Sequence, residues 1–258
     1  MKSIRNIFFI IITFISVASF SQNSETVILK AESKNVTGQQ LGEASEIIVN
    51  RLKLFGLQAT ASPLPNKKQI KIEMPDNTRL SDIKDLLTEQ GSLGFYETIV
   101  IDSKSKLACS SAPDRRIEDS VKTVLNRTLK STSYILSWSK PFNKTEACLY
   151  ALKTSDTGLS QKNLESAKST GDNNSHSFTI DIKFKSESAG IWALMTEKSI
   201  GKPIAIVIDN RVFYDPVVRD AIQGGLCEIT GNISKKEADY FVALISNEPL
   251  PIRLSIVK

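Results

Sequence analysis

Histidine is nearly missing from this sequence: the 258 residues contain one, His176. Metal centres built on paired imidazoles, and nucleophiles activated by a histidine with an orienting acid, need partners that are not present. HExxH does not occur. Cysteine is scarce too, with Cys109, Cys148 and Cys227 only, and no CxxC, so thioredoxin-like exchange lacks its motif. Neither GxxxxGK[ST] nor GxGxxG is found, which removes the backbone cradle that nucleotide phosphates use. No cofactor is implied. The net charge of +5 is a small excess without a Lys/Arg run interleaved with aromatics, so nucleic acid is not an expected partner.

What is present begins with an export signal. "MKSIRNIFFIIITFISVASFSQ" has a basic start (Lys2, Arg5), an apolar run and small residues at Ser19 and Ser21. Residues 1–21 therefore read as a signal peptide, or as an N-terminal anchor at the inner membrane if uncleaved. No later stretch approaches the ~20 apolar residues of a spanning helix. The expected location is the periplasm. Oxidising conditions there make Cys109 and Cys148, which flank one segment, the candidate disulfide. Three buried free thiols are the other reading, since spacing does not dictate connectivity.

From 25 to 99 the periodicities alternate between two and 3.6. "TVILKA" is a strand. Thr37-x-x-Gln40 opens a helix with Leu41, Ala44, Ile48, Leu52 and Phe55 on one face, and Gly56 stops it. Leu57 to Leu64 can form a strand, and "QIKIEM" alternates as a further, half-buried one. Ile83, Leu86 and Leu87 mark a second helix, and "SLGFYETIVI" closes with a strand. The order β-α-β-β-α-β is that of a ferredoxin-like, split βαβ module. Residues 177–258 repeat the grammar. "FTIDIKF" alternates, and Ile191, Leu194 and Met195 have helical spacing. "IAIVI" and "RVFY" flank the turn Asp209-Asn210. Ala238, Phe241, Val242 and Ile245 form a last stripe before a final strand. The fold expected is α+β, two ferredoxin-like modules with antiparallel sheets flanking an irregular insert at 100–176. Within the insert, a helix follows Pro113 and "SYILSW" can pair with "CLYAL"; the polar residues 155–176 read as an exposed linker.

Ser-x-x-Lys occurs at Ser81–Lys84 and Ser137–Lys140, without the companion motifs of enzymes that use it. Gly224-Gly225, between Ile222 and Leu226, suits a bend or a close approach in a strand region.

The C-terminal third carries an ordered string: Gly201-Lys202-Pro203, "AIVID", Pro216-Val217-Val218-Arg219, Gly224-Gly225, Ile229-Thr230-Gly231, Glu237-Ala238 and Leu250-Pro251. Earlier come "EIIVNRLKLFGL", with Asn50, Arg51 and Gly56, and "GSLGFYE". This string resembles the first large periplasmic domain of SecD, a subunit of the bacterial export machinery. The resemblance implies structural roles for Asn50, Arg51, Gly56, Gly201, Pro203, Pro216, Gly224, Gly225, Thr230 and Gly231. It also implies a non-enzymatic binding module whose partners are unfolded exported proteins or Sec translocon subunits. Val212, Phe213, Tyr214 and Arg219 are the candidate contact residues, while Trp192 belongs to the core. The sequence departs from the family in three ways. The membrane helices that carry proton-coupled work do not follow Lys258, Glu228 replaces a glutamine, and Cys227 replaces a small residue. The middle section, with its own cysteines, is not matched to that string. The competing readings are an envelope hydrolase with an unrecognised site and a structural envelope protein.

Overall fold

Local pattern and observed elements agree closely in the first third. The computed structural model describes residues 24–129, 132–140, 145–154, 158–172 and 177–257; the N-terminal leader and His176 lie outside them. The chain opens with β1 (Ser24–Ala31), α1 (Gly38–Leu54), β2 (Thr60–Leu64), β3 (Gln69–Pro75), α2 (Leu80–Thr88) and β4 (Leu93–Glu97). Thr37 caps α1 through a reciprocal box with Gln40. Gly56, at φ +89°, ends it. The Gly56 amide donates to Lys53 O and the Leu57 amide to Leu52 O, which satisfies the last carbonyls as a Schellman motif does. Leu41, Ala44, Ile48 and Leu52 are buried, and so is Arg51. In β3, Ile70, Ile72 and Met74 point inward and their neighbours do not.

The middle of the chain is more regular than its composition suggests. It holds β5 (Ala108–Ser110), α3 (Arg115–Thr128), β6 (Tyr134–Trp138) and β7 (Ala147–Lys153). After a 3₁₀ turn at Gln161–Asn163 comes β8 (Leu164–Asp172). The linker expected at 155–176 thus contains a nine-residue strand. Its polarity follows from its place at a sheet edge, where Glu165, Ser166 and Lys168 face solvent and a hydrophobic alternation never develops. Cys109 lies directly opposite Cys148 on neighbouring strands, and the two are disulfide-bonded. Cys227 is a buried free thiol.

The last third contains β9 (Ser177–Phe184), α4 (Ser186–Lys198), β10 (Ile204–Ile208), β11 (Arg211–Tyr214), β12 (Leu226–Ile229), α5 (Lys235–Ile245) and β13 (Leu254–Val257). Asp209 and Asn210 both have positive φ, as a two-residue hairpin turn demands. Helix α4 corrects the sequence reading. Ile191 and Leu194 are exposed, while Ser188, Trp192, Met195 and Thr196 face inward. The helix is apolar around much of its circumference, so spacing alone did not select the inner face.

The result is a mixed α+β fold with four small sheets among the described residues, all of whose strand ladders are antiparallel. Their orders are β13-β1-β3-β2, β11-β10-β4, β12-β9-β8 and β5-β7-β6. The place beside β1 is taken by β13, and β4 pairs with β10 instead. The C-terminus thereby closes the N-terminal sheet. One large core joins Leu29, Ile48, Ile72 and Leu86 to Phe95, Phe184, Trp192 and Phe241. The opposite face of β10 and β11 packs Ala205, Val207 and Val212 on Tyr150 and Leu152 of β7. No helix among the described residues is long and apolar enough to cross a membrane.

Candidate functional site

A guanidinium on the inner face of a helix must be solvated by something other than water. Arg51 of α1 is fully buried, and its Nη1 donates to Glu89 O at 2.6 Å and to Leu86 O at 3.3 Å. Nη2 donates to Gln90 O at 2.6 Å. These carbonyls end α2, where the helix dipole is negative, so the cation caps one helix from inside another. Burial lowers the Arg51 pKa from 12.5 to about 10, opposed by the charges of Asp209 and Glu89. A side chain at Gly91, whose φ is +81°, would collide with Nη2.

The segment after α2 is held from three further directions. Asp209, in the hairpin turn, accepts from the amides of Gly91 at 2.9 Å and Ser92 at 2.8 Å. The Gln161 side chain accepts from Leu93 N at 2.9 Å and donates to Gly91 O. Leu250 N donates to Gln90 O at 2.8 Å, and Asn50 donates to Asn247 at 2.6 Å. Residues far apart in sequence, among them Asn50, Arg51 and Leu250 of the resemblance, meet at one knot. Gln161 escaped the sequence reading because it lies in a polar stretch with no pattern. Asp209 was legible only as a turn residue.

A second polar cluster ties the insert to this knot. Lys140 Nζ binds Asp85 at 2.7 Å and Glu89 at 2.9 Å, and bonds the Tyr240 hydroxyl. It also lies 4.6 Å from the centre of the Tyr240 ring and 5.3 Å from that of Phe213. Burial, with the Glu89 and Asp85 charges, pushes the Tyr240 pKa well up. Ser137 donates to Asn210 O at 2.7 Å. Both ends of the Ser137–Lys140 motif are thus committed to structural bonds, and Ser81 and Lys84 stand exposed on α2.

The candidate contact residues divide. Val212 and Phe213 are buried, so their side chains serve the core and offer a partner no surface. Tyr214 is half-buried, and its hydroxyl has no hydrogen-bond partner among the described residues. Its pKa is raised by burial and then by Glu237. Arg219 is exposed. The motif residues sit in turns and backbone pairings. Gly201, at φ +77°, donates to Val218 O at 2.9 Å, and Pro203 O accepts from the Thr98 hydroxyl at 2.7 Å. Pro216 O accepts from Ile204 N at 3.1 Å, and Gly231 O from the Ser177 hydroxyl at 3.0 Å. Thr230 is exposed beside them. Gly224 and Gly225 both have positive φ, and the Gly225 carbonyl accepts from Phe184 N at 2.8 Å. Among the described residues no group of three or more His, Cys, Asp or Glu is placed to hold a metal ion.

Beside the knot runs a groove of about 1030 Å³, between α2 with β13 on one side and β4 with β10 on the other. Lys84, Tyr96, Val207, Arg253 and Ile256 are among its lining residues.

Comparison with known proteins places these features. Residues 138–252 match the family "SecDF, P1 head subdomain". The chain is 31% identical over 103 residues to the protein translocase subunit SecD of Acidaminococcus fermentans, covering 40% of this chain and 24% of that protein. It is 24% identical over 235 residues to the SecDF of Thermus thermophilus, covering 90% of this chain and 29% of that protein. The chain therefore spans about a quarter of the length of these relatives. Among solved structures, one titled "Structure and function of a membrane component SecDF that enhances protein export" shares the fold. Its TM-score is 0.55 at 20% identity, over 91% of this chain and 98% of that one. A SecDF in a super-membrane-facing form also gives 0.55, at 21% identity, over 90% of this chain and 29% of that one. By these matches the chain is similar to SecD and SecDF, and its residues 138–252 are similar to the SecDF P1 head subdomain.

Proposed function

We propose that this chain is a non-enzymatic, SecD-like accessory domain of the periplasm that binds unfolded exported polypeptides or Sec translocon subunits. The match of residues 138–252 to the SecDF P1 head carries this reading. The commitment of Ser137 and Lys140 to structural bonds supports it against a hydrolase. In the same reading the chain comprises two ferredoxin-like modules, at 25–99 and 177–258, around an insert at 100–176. The first module borrows β13 as its fourth strand, as the order β13-β1-β3-β2 suggests. Exposed Arg219 and half-buried Tyr214 are the contact residues that remain available. The protein would work at the periphery of the inner membrane.

The test is photo-crosslinking in intact cells from a reactive residue placed at position 219, followed by identification of what is caught. Exported precursors or translocon subunits are the expected catch. Turnover of an ester, glycoside or peptide substrate that one point substitution abolishes would overthrow the proposal, as would a cytosolic home for the intact protein.

A further inference from the structure

We infer that the outer edge of β13 accepts an extended polypeptide segment bearing an acidic side chain, as an added strand within the adjoining groove. This rests on the reading that the chain binds unfolded polypeptides, and it names the place and the mode. Among the described residues, strand β13 has a ladder partner on one side only. The Glu32 amide donates to Arg253 O, which turns the Arg253 backbone toward β1. Antiparallel alternation then turns the amides and carbonyls of Leu254 and Ile256 outward. Both residues line the groove of about 1030 Å³.

The opposite edge of the same sheet, β2, carries Pro63, a common device against added strands. No proline interrupts β13. The far wall of the groove offers an apolar surface for alternate side chains, as strand addition requires. There the Tyr96 ring lies over Gly94, where an added Cβ would approach it to 2.7 Å.

Charge selects the occupant. Lys84 and Arg253 line the groove, both exposed, and neither has an ion pair among the described residues. The lining carboxylates Glu89 and Asp209 are tied down, Glu89 by Lys140 and Tyr240 and Asp209 by two backbone amides. That leaves Glu32 against two cations. A carboxylate on the incoming strand would complement them.

The experiment titrates the full chain into a fluorescent ten-residue peptide of alternating valine and threonine with a central aspartate. Two further peptides carry N-methyl groups on one or the other set of alternate amides. Strand addition predicts that one methylated set weakens binding at least tenfold while the other leaves it unchanged. Lys84→Glu combined with Arg253→Glu should weaken the aspartate peptide at least tenfold and favour its lysine counterpart. Reduced, carboxymethylated α-lactalbumin serves as a general unfolded probe. If it binds while the peptide does not, or while methylation and charge reversal have no effect, the edge site is refuted and the broader reading stands. If neither probe binds, both fall.

Discussion

The Arg51 guanidinium fills the space in which a side chain at Gly91 would begin. The helix α1 and the loop after α2 are thereby matched residue for residue. Gly91→Ala should displace the guanidinium from its three carbonyls and strain a backbone at φ +81°. The expected loss of stability is about 3–5 kcal/mol, from the positive-φ penalty and the charge-assisted bonds. Arg51→Met should cost a similar amount. Because the two residues act as one unit, chemical denaturation of the double variant should show less than the sum by at least about 1 kcal/mol. Strict additivity would show that the contact is energetically idle.

The two adjacent glycines differ. Gly225 has φ +72°, and an added Cβ would lie 3.0 Å from Ala189 Cβ and 3.3 Å from Phe184 O. Gly224 has φ +76° and open space around it. Gly225→Val is therefore expected to lower stability by about 3 kcal/mol or more, through backbone strain and overlap with α4. Gly224→Asn should cost under about 1 kcal/mol, since Asn tolerates that conformation. A Gly225→Val protein as stable as the parent in a urea titration would remove the structural role assigned to this pair.

Reduction of Cys109–Cys148 opens a bridge between residues 39 apart in sequence. The chain-entropy treatment puts the resulting loss at about 4 kcal/mol. The paired variant Cys109→Ser, Cys148→Ser should lower the midpoint of thermal unfolding to that extent. Non-reducing mass measurement checks that the bond forms.

Alkaline pH should weaken the fold in a defined order. Burial, aided by Glu228, pushes the Cys227 thiol from 9.0 up to about 12. The native state holds that proton longer than the unfolded chain, so this contribution is full below pH 9.0 and is lost as pH rises toward about 12. Tyr150, Tyr214 and Tyr240 are shifted upward from 10.0, chiefly by burial, and add losses above that pH. Arg51 opposes them, since its lowered pKa lets the native state shed a proton first above about 10. Replacing Cys227 by Ala should flatten the decline between pH 9 and 10, where its slope is at most about 1.4 kcal/mol per pH unit. An unchanged slope in that window would mean the thiol is ionising freely.

Most elements could be read directly from the chain because their causes are local. The Thr37–Gln40 box, the stop at Gly56, the alternation of Ile70, Ile72 and Met74, and the Asp209-Asn210 turn each need only a few neighbouring residues. The glycine and proline positions of the SecD-like string were legible for the same reason. On α4, Met195 and Trp192 are inward as expected, but Ile191 and Leu194 were misjudged because they are just as apolar, so composition could not choose between sides. Of the proposed contact residues, Val212 and Phe213 went to the core because β10 and β11 are covered on both faces.

Sequence alone determined most helices, strands and turns and the family likeness, though not the edge strand β8, since hydrophobic period, caps and positive-φ positions are properties of short segments. Tertiary structure alone decided that β13 sits beside β1, that β4 turns to β10, and that Gln161, Asp209 and Leu250 converge on the residues Arg51 caps. Strand partners are chosen by which apolar faces and unsatisfied backbone groups meet when the whole chain closes. A pattern confined to ten residues holds no record of a neighbour that arrives more than two hundred residues later.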